Sequence, residues 1–275
     1  MRVDIRKIVS LRKSGYTLPE IMKVTRLPKT TIYWHIRDLP LSQKKIQFVR
    51  RASGNRIRKY AIARKGRSER PFRAFDQWTS KTVLLTAHLI FDGEIYRGCI
   101  YNSRSAALIE RVQDCMSAIY SFEPRFAKNS LTGVLRVSYH NVALGIYMAD
   151  KARSLLIEVK NLPLNLKREF VRAFFDDEGC ADFRPEENRR SVRGYQKNTN
   201  ILHLIRDLLY EFKIQAKVKR PNEVQVVGKE NLIRFEKEIN FSPGVYINGN
   251  RSNSRWKRHL EKRVLLRMAI ESYQH

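Results

Sequence analysis

The sequence of 275 residues contains only three cysteines, and none of them belongs to a paired motif. Cys99, Cys115 and Cys180 are scattered, without a C-x-x-C spacing. A disulfide framework and a cysteine-based zinc site are therefore excluded, since both need cysteines in pairs. We expect the three thiols to be small buried residues in a reducing compartment.

Long apolar runs are also missing. No apolar stretch reaches the roughly 18 residues that a membrane-spanning helix needs. The first residues, MRVDIRK, lack the apolar core of a secretory signal. These absences predict a protein with no membrane partner, located in the cytoplasm and associated with the nucleoid if the source is prokaryotic.

Acidic residues are scarce relative to basic ones. The chain has 54 lysines and arginines against 27 aspartates and glutamates, so its formal net charge at pH 7 is +27. Such an excess predicts a polyanionic partner. Nucleic acid is the first candidate and an anionic membrane surface is the weaker one. Charge alone does not separate DNA from RNA.

The first 41 residues are typical of three short helices. Val3 to Ser14 is apolar at helical spacing, Thr17 with Glu20 is a helix-start pattern, and Pro28 begins the third segment. This arrangement resembles a helix-turn-helix DNA reader, in which the start of the last helix enters the major groove. The alternative is a small helical module that binds another protein.

The resemblance makes the third helix the predicted recognition helix. Either Ile32 or Trp34 is expected to face inward from it. Arg26 occupies the turn where glycine is usual, which predicts a backbone cost. The residues predicted to contact DNA are Lys29, Thr30, Tyr33 and Arg37.

Residues 42–79 are predicted to form a basic helical connector. Between residues 42 and 73 the only acid is Glu69, and the apolar stripe is thin. This composition favours a segment that follows phosphates, with a solvated linker as the alternative. The predicted contacts are Arg50, Arg51, Arg56, Arg58 and Lys59.

From about residue 80 onward the chain is internally repeated. LTAHLIFDG (Leu85 to Gly93) and VRAFFDDEG (Val171 to Gly179) both read as apolar helices that end in an acid and a glycine. After each come strand-like segments, an amphipathic helix, two more strand-like segments and a closing helix. The pattern predicts two copies of one αββαββα unit, at about residues 80–160 and 165–270.

Carboxylates are unfavourable at the ends of these two helices. A helix C-terminus carries partial negative charge, and adjacent acids repel each other. The second motif nevertheless ends in Asp176, Asp177 and Glu178. We therefore expect something positive to compensate, either a basic neighbour or a bound metal ion.

The two motifs resemble those of the LAGLIDADG homing endonucleases in their single-chain, two-repeat form. The resemblance implies an α+β fold in which the helix-turn-helix precedes a pseudo-symmetric (αββαββα)2 domain, residues 80–275. Ala87 and Ala173 hold the third motif position, where small residues let the motif helices approach. Asp92 and Glu178 hold the eighth position, whose acids bind metal and catalyse. The expected cofactor is Mg²⁺, with Mn²⁺ as an alternative.

Four further motif residues carry expectations from the resemblance. His88 is expected to be packed or hydrogen-bonded at the interface rather than a ligand. Phe91 is larger than the small residue that the family favours at the seventh position. Asp176 is expected to cap or to form a salt bridge, and Asp177 to offer only its backbone carbonyl. The alternative for all of these acids is simple pairing with arginines.

The hairpin that follows the second motif is predicted to be the longer one. Gly93 to Leu108 spans 15 residues, whereas Gly179 to Leu204 spans 25. The resemblance implies that such hairpins contact DNA, so the contacts should be lopsided. The predicted contacts on this hairpin and in the basic tail are Arg184, Arg189, Arg190, Arg193, Gln196, Lys197, Arg251 and Lys257.

These observations predict a monomeric, site-specific endonuclease that binds double-stranded DNA and uses a divalent metal. Two alternatives stay open. One is a non-catalytic DNA-binding transcription regulator on the same fold, and the other is an RNA-binding or RNA-processing factor. The presence of both eighth-position acids favours the nuclease over the regulator, and the helix-turn-helix pattern favours duplex DNA over RNA.

Overall fold

The structure is a computed structural model that describes residues 4–52, 72–120, 123–247, 256 and 260–273. These residues form two compact units that divide between Glu69 and Arg70. The first unit is helical, and the second contains helices and two four-stranded sheets. The predicted α+β class is therefore confirmed. No described helix combines the length and apolar character that a bilayer crossing requires.

Four isoleucines form the core of the first unit. One comes from the first helix, one from the second and two from the third: Ile8, Ile21, Ile32 and Ile36. All four are buried, so the three short helices are held together mainly by aliphatic contact. The helices are α1 (Ile5–Lys13), α2 (Leu18–Thr25) and α3 (Lys29–Ile36), followed by α4 at residues 43–52.

Local hydrogen bonds set where the first helices begin and end. The Asp4 carboxylate accepts from the Lys7 backbone N–H at 3.1 Å, at the start of α1. The Thr17 backbone N–H and hydroxyl both donate to the Glu20 carboxylate, at 2.6 and 2.8 Å, at the start of α2. That helix ends at Arg26, which has φ 54°, a left-handed conformation that favours glycine. The expected backbone cost at Arg26 is therefore present.

The third helix buries Ile32 and exposes Trp34. The Trp34 side chain is 63% exposed, and the Arg37 guanidinium lies 4.7 Å from its ring centroid. Of the two residues considered for the inner face, Ile32 is the buried one, and an inward Trp34 is wrong. The reason is spacing: Ile32 and Ile36 are four residues apart and share one face, whereas Trp34 lies between them on another side.

The second unit consists of the two predicted copies followed by one more helix. Both sheets are antiparallel, with strand orders β1-β2-β4-β3 and β5-β6-β8-β7, so equivalent strands occupy equivalent places. The (αββαββα)2 arrangement is therefore confirmed. Copy 1 contains α5 (Ser80–Phe91), β1 (Gly93–Ile95), β2 (Cys99–Ser103), α6 (Ala106–Tyr120), β3 (Arg125–Lys128), β4 (Leu135–Tyr139) and α7 (Val142–Glu158).

Copy 2 repeats this order of elements after a single 3₁₀ turn at Val159–Asn161. A second 3₁₀ turn, Pro185–Glu187, joins the first two strands of the copy. The elements of copy 2 are α8 (Leu164–Glu178), β5 (Gly179–Arg184), β6 (Arg189–Tyr195), α9 (Thr199–Glu211), β7 (Ala216–Lys219), β8 (Glu223–Val227) and α10 (Lys229–Glu238), and the added helix is α11 (Lys262–Glu271).

The two copies differ most in their first hairpins. β1 and β2 have three and five residues, whereas β5 and β6 have six and seven. The prediction that the second hairpin is the longer one is confirmed. Copy 2 therefore presents the larger strand surface next to the end of its motif helix.

The motif helices α5 and α8 pack against each other at the centre of the second unit. Val83, Ala87 and Phe91 are four residues apart and pack into one core with α8 and the rest of copy 2. Leu85 and Leu89 lie on another side of α5 and pack into the core of copy 1. One helix thus joins two cores, because its apolar residues form two stripes instead of one.

Residues 72–78 are attached to α7 by an aromatic cluster. The Tyr147 hydroxyl accepts from the Phe75 backbone N–H at 2.7 Å and donates to the Phe75 carbonyl at 2.8 Å. Lys151 Nζ lies 4.9, 5.7 and 5.6 Å from the ring centroids of Phe75, Trp78 and Tyr147. This segment falls inside the predicted connector yet packs on the second unit. The predicted domain limits themselves stay a prediction.

We expect Ala87→Leu and Ala173→Leu to destabilise the second unit by about 1–3 kcal/mol each, because added methylenes overpack a filled seam. Both alanines are fully buried. The measurement is thermal unfolding of each variant against the parent. Ala106→Leu, at the exposed start of α6, is the matched control and should leave the midpoint unchanged. Equal midpoints for all three variants would mean that the alanines do not lie in the seam.

Candidate active site and nucleic-acid interface

The ends of the two motif helices meet at one cavity. Asp92 caps the C-terminus of α5, and Glu178 is the last residue of α8. Both line the same cavity of about 870 Å³, together with residues of both hairpins. Two carboxylates that are far apart in sequence are therefore brought to one place, along with two negative helix ends.

Asp176 also lines this cavity, but its side chain is buried and has partners within the protein. Its carboxylate accepts from the Ser242 backbone N–H at 2.8 Å and from Arg111 at 3.3 Å. Burial raises the pKa of Asp176, and the hydrogen bonds from Ser242 oppose that increase. The expected role in a cap or salt bridge is therefore met, because Arg111 and Ser242 together hold this carboxylate in place.

Asp177 also has partners within the protein. Its carboxylate accepts from the Tyr101 hydroxyl at 2.6 Å and lies 2.8 Å from His88 Nδ1. The side chains of both His88 and Asp177 are fully buried. The expectation that Asp177 offers only its backbone carbonyl is wrong, since its side chain crosses to copy 1. The expectation that His88 is a hydrogen-bonded interface residue is met.

A buried lysine from α11 supplies positive charge to the end of α8. Lys262 Nζ donates to the carbonyl oxygens of Phe175 and Asp176, at 3.2 and 2.6 Å. The residue is 8% exposed, and burial lowers the pKa of its ammonium group. Of the two expected sources of positive charge, a basic neighbour or a bound metal ion, Lys262 is a basic neighbour, and it donates to carbonyls that the helix leaves without partners.

Sequence reasoning named other basic residues of the tail and missed Lys262. One signal could have found it. Lys262, Leu265, Leu266 and Ala269 lie at the spacing of a buried helix face, and all four are buried. A lysine on the apolar face of a helix needs a buried acceptor, so it should have been examined as a partner of the acidic motif.

Asp92 and Glu178 differ from Asp176 and Asp177 in their surroundings. In the described part of the chain, neither carboxylate has a hydrogen bond or an ion pair. Burial raises the pKa of Asp92 to about 6, with a further increase from Asp177. Burial raises the pKa of Glu178 to about 7, with further increases from Asp92 and Asp177. The two carboxylates therefore repel each other across the cavity.

This pair of carboxylates fits a hard divalent cation. Among the described residues, no group of three or more His, Cys, Asp or Glu side chains is placed to hold a metal by itself. Mg²⁺ does not require such a group, since proteins commonly bind it through one or two carboxylates plus water and substrate phosphates. Asp92 and Glu178 supply that number of ligands. Their repulsion and raised pKa values are what a cation would relieve.

The predicted arginines of the second hairpin are held by acids and by the C-terminal residues. Arg193 donates to Asp182 at 2.9 Å and to Glu223. Arg184 lies between Asp182 and Glu187, and Arg189 lies 3.1 Å from Glu187. Arg190 donates to Ser272 at 2.7 Å and packs over Tyr273. Gln196 and Lys197 follow the end of β6, and Lys197 is exposed.

Further basic residues share the open face of each sheet and were not predicted. In copy 2, Arg193, Gln225 and Lys217 are neighbours across β6, β8 and β7, so they project from the same face. A second cavity of about 600 Å³ lies along this face. The alternation of AKVK and EVQVV could have identified it. The additional basic residues on the open faces are Lys217 and Lys219 in copy 2, and Arg125 and Arg136 in copy 1, whereas Arg220 follows β7 and Lys128 lies on the other face of β3.

The predicted contacts of the first unit lie on the surface. Lys29, Thr30, Tyr33 and Arg37 are all exposed on or just after α3. Arg50 and Arg51 are exposed on α4. The other predicted basic contacts lie outside the described residues: Arg56, Arg58, Lys59, Arg251 and Lys257.

The two cavity carboxylates generate a pH prediction. Both have a higher pKa in the folded protein than the value of about 4 expected in the unfolded chain. Between about pH 4 and pH 7 the folded state therefore binds more protons, so their contribution to stability is lost as pH rises. In metal-free buffer at pH 8, Asp92→Asn and Glu178→Gln should raise the unfolding midpoint, with a smaller effect at pH 5.

The matched control is Glu110→Gln, a carboxylate on the exposed side of α6. This variant should shift the midpoint equally little at both pH values. A pH-independent effect of Asp92→Asn and Glu178→Gln would show that the two carboxyls titrate normally and do not repel each other in the cavity.

Part of the second unit matches the model of a known protein family. Residues 165–240 match the family model described as LAGLIDADG-like domain. No curated protein matches the chain. Three of the solved structures that are similar to it illustrate the likeness. The homing endonuclease I-DmoI with DNA and Mn is 13% identical, covering 58% of this chain and 96% of that one, with a TM-score of 0.45. The N-terminal LAGLIDADG domain of WhiA is 14% identical, with coverages of 62% and 88% and a TM-score of 0.45.

Full-length WhiA from Thermatoga maritima is 13% identical, covering 62% of this chain and 59% of that one, with a TM-score of 0.46. The family model covers the motif helix that ends in Glu178, the long hairpin and the rest of copy 2 as far as Asn240. Within this chain, residues 165–240 are therefore similar to the LAGLIDADG-like domain family.

Proposed function

We propose that this protein binds double-stranded DNA and hydrolyses its phosphodiester bonds with a divalent metal held by Asp92 and Glu178. One observation carries the proposal. All four carboxylate residues at the two helix ends line one cavity, but Asp176 and Asp177 have hydrogen-bond partners in the protein, whereas Asp92 and Glu178 have none among the described residues. This difference supports a role for Asp92 and Glu178 as ligands of an external cation.

The residues around the cavity would have different roles in such a site. Asp92 and Glu178 would hold the cation, one from each copy. A divalent cation bound there would polarise a phosphoryl oxygen and lower the pKa of a bound water. Lys262 donates to the carbonyls at the end of α8 and Arg111 to Asp176, so Asp92 and Glu178 are the two carboxylates of the helix ends without a hydrogen bond or ion pair in the described part of the chain. Because one chain supplies both carboxylates, we propose that it acts as a monomer.

The charge of the surface supports nucleic acid as the partner. The net charge of +27 is far from balance, and each sheet carries exposed basic residues on its open face. A polyphosphate backbone is the ligand that such a surface attracts. Duplex DNA is the preferred form, since α3 presents a polar and aromatic surface of the kind that enters a major groove.

Specific readout would depend on side chains that are already oriented. Arg193 is fixed by Asp182 and Glu223 on either side, so its position is set before any partner binds. Such acids also compete with phosphate for the guanidinium, which weakens non-specific attraction. Gln225, the cross-strand neighbour of Arg193, has an amide that can both donate to and accept from a base edge.

We expect Asp92→Asn and Glu178→Gln each to abolish nicking of a bound duplex in Mg²⁺ or Mn²⁺, because each removes a ligand charge without changing shape. DNA binding should be retained or become slightly tighter, since negative charge facing phosphates is lost. The measurement is a nicking assay on duplexes selected from a randomised library. Glu110→Gln, an exposed acid of α6, should cut like the parent.

The non-catalytic regulator predicts a different outcome. If the parent binds a defined duplex tightly and never cuts it with either metal, cleavage is rejected and DNA binding stands. If the parent prefers RNA of the same sequence, the duplex DNA assignment is rejected as well.

Binding should depend strongly on salt. With about eight phosphate contacts, log K should fall with a slope near −7 against log[salt], since each contact contributes about −0.9. Replacing Lys29, Arg37, Arg50 and Arg51 by glutamine should reduce the slope by up to about 3.6. The control is Lys160→Gln, in the 3₁₀ turn that precedes α8, where the lysine pairs with Asp207. A slope near zero for the parent would refute binding through phosphates.

A further inference from the structure

The two motif helices contact each other through corresponding positions that carry different chemistry. In the nine-residue motifs, His88 and Phe174 hold the fourth position, and Phe91 and Asp177 hold the seventh. In the structure, the seventh position of each copy meets the fourth position of the other. The interface between α5 and α8, here called the seam, therefore contains two contacts that the pseudo-symmetry relates. We call the contact of Phe91 with Phe174 the apolar crossing and the contact of His88 with Asp177 the polar crossing.

The apolar crossing is a contact between aromatic rings. The ring centroids of Phe91 and Phe174 are 5.2 Å apart with planes at 74°, an edge-to-face arrangement. Phe170 adds a second contact to Phe91 at 5.3 Å. All three residues are buried, so Phe91 is accommodated by two aromatic rings of the other copy.

The polar crossing is a hydrogen-bonded cluster. Asp177 accepts from the Tyr101 hydroxyl at 2.6 Å, and His88 Nδ1 lies 2.8 Å from its second oxygen. The rings of His88 and Tyr101 also pack edge-on, with centroids 5.4 Å apart. A carboxylate buried here is tolerable only because both donors are present.

Each crossing also includes one residue from the second strand of the adjacent hairpin. Tyr101 pairs across its hairpin with Gly93, and Gly194 pairs across its hairpin with Gly179, so Tyr101 and Gly194 are equivalent. A Cβ at Gly194 would lie 2.3 Å from a ring atom of Phe174. The large Phe174 therefore requires glycine on its hairpin, whereas the smaller His88 leaves room for tyrosine on the other.

Each copy is therefore complementary to the other copy and not to a second copy identical to itself. In a pair of two copies 2, Asp177 would face Phe174 and lose both hydrogen-bond donors. In a pair of two copies 1, Phe91 would face His88, and the imidazole would be buried against an aromatic ring. Unpaired buried polar groups of this kind are the usual means by which interfaces reject a wrong partner.

We propose that His88, Tyr101 and Asp177 on one side, and Phe174, Gly194 and Phe91 on the other, form a matching code between the two copies. In this code Asp177 is a positioning residue for the adjacent Glu178, because it ties the end of α8 to β2 and α5 of copy 1. The positioning role rests on the proposed function. The code itself does not, since it concerns only how the copies pack.

The first experiment measures thermal unfolding of Tyr101→Phe in two backgrounds. In the parent the change removes a donor from a buried carboxylate, so the midpoint should fall by several degrees. In Asp177→Leu the hydroxyl has already lost its acceptor, so the same change should raise the midpoint. Tyr120→Phe is the matched control, because that buried hydroxyl donates to Cys99 and not to Asp177, and its effect should be equal in both backgrounds. Equal effects of Tyr101→Phe in both backgrounds would overturn the code.

The second experiment replaces the three residues of the polar crossing by the residues found at the equivalent positions of the apolar crossing. His88→Phe alone should lower the unfolding midpoint by about 10 °C, since it strands Asp177 and crowds Tyr101. The triple variant His88→Phe, Tyr101→Gly, Asp177→Phe recreates the set Phe174, Gly194, Phe91, and its midpoint should exceed that of each single variant. Additive losses in the triple variant would contradict matching by sets.

The positioning role has its own readout. In metal titrations of the folded full-length chain, Tyr101→Phe should weaken Mn²⁺ binding about tenfold, the effect expected when a group supporting a metal ligand is lost. Tyr120→Phe should leave the affinity unchanged. Unchanged affinity in Tyr101→Phe would reject positioning. A parent that binds no Mn²⁺ would reject the proposed metal site, and with it the positioning role, while the two unfolding experiments would still decide the matching code.

Discussion

Charge balance at the C-terminal end of α8 is the constraint on which the rest of the second unit depends. The last three residues of α8 are all carboxylates, and they lie at the end of the helix that carries partial negative charge. The fold answers with Arg111 from α6, Tyr101 and His88 from the other copy, and Lys262 from α11. Elements of copy 1 and α11 therefore converge on one helix end, and among the described residues Glu178 is the one of the three acids without a hydrogen bond or ion pair.

The internal repeat made the main features of the fold predictable from sequence. Two acid-glycine helix ends, each followed by the same order of elements, identified the two copies and the strands within them. The same repeat singled out Asp92 and Glu178 as corresponding residues. Their meeting at one cavity follows from the packing of α5 on α8, which buried small residues such as Ala87 and Ala173 permit.

Other parts of the site depend on contacts that no local pattern specifies. Lys262 lies far beyond the motif in sequence, and its role appears only when α11 packs against the end of α8. The alternation in β6 predicts which way Arg193 faces, but its two acidic partners sit on neighbouring strands. Trp34 illustrates the opposite error, because an aromatic residue was considered for the core although the isoleucines of α3 already filled that face.

The position of Lys262 makes the repeated domain depend on a helix outside the repeat. Copy 2 ends with α10, and both cavity carboxylates precede α11 in the chain. Lys262 of α11 nevertheless donates to the carbonyls of Phe175 and Asp176, and Leu265, Leu266 and Ala269 of the same helix belong to the core of copy 2. A pair of repeats without α11 would therefore lack both that donor and part of its core.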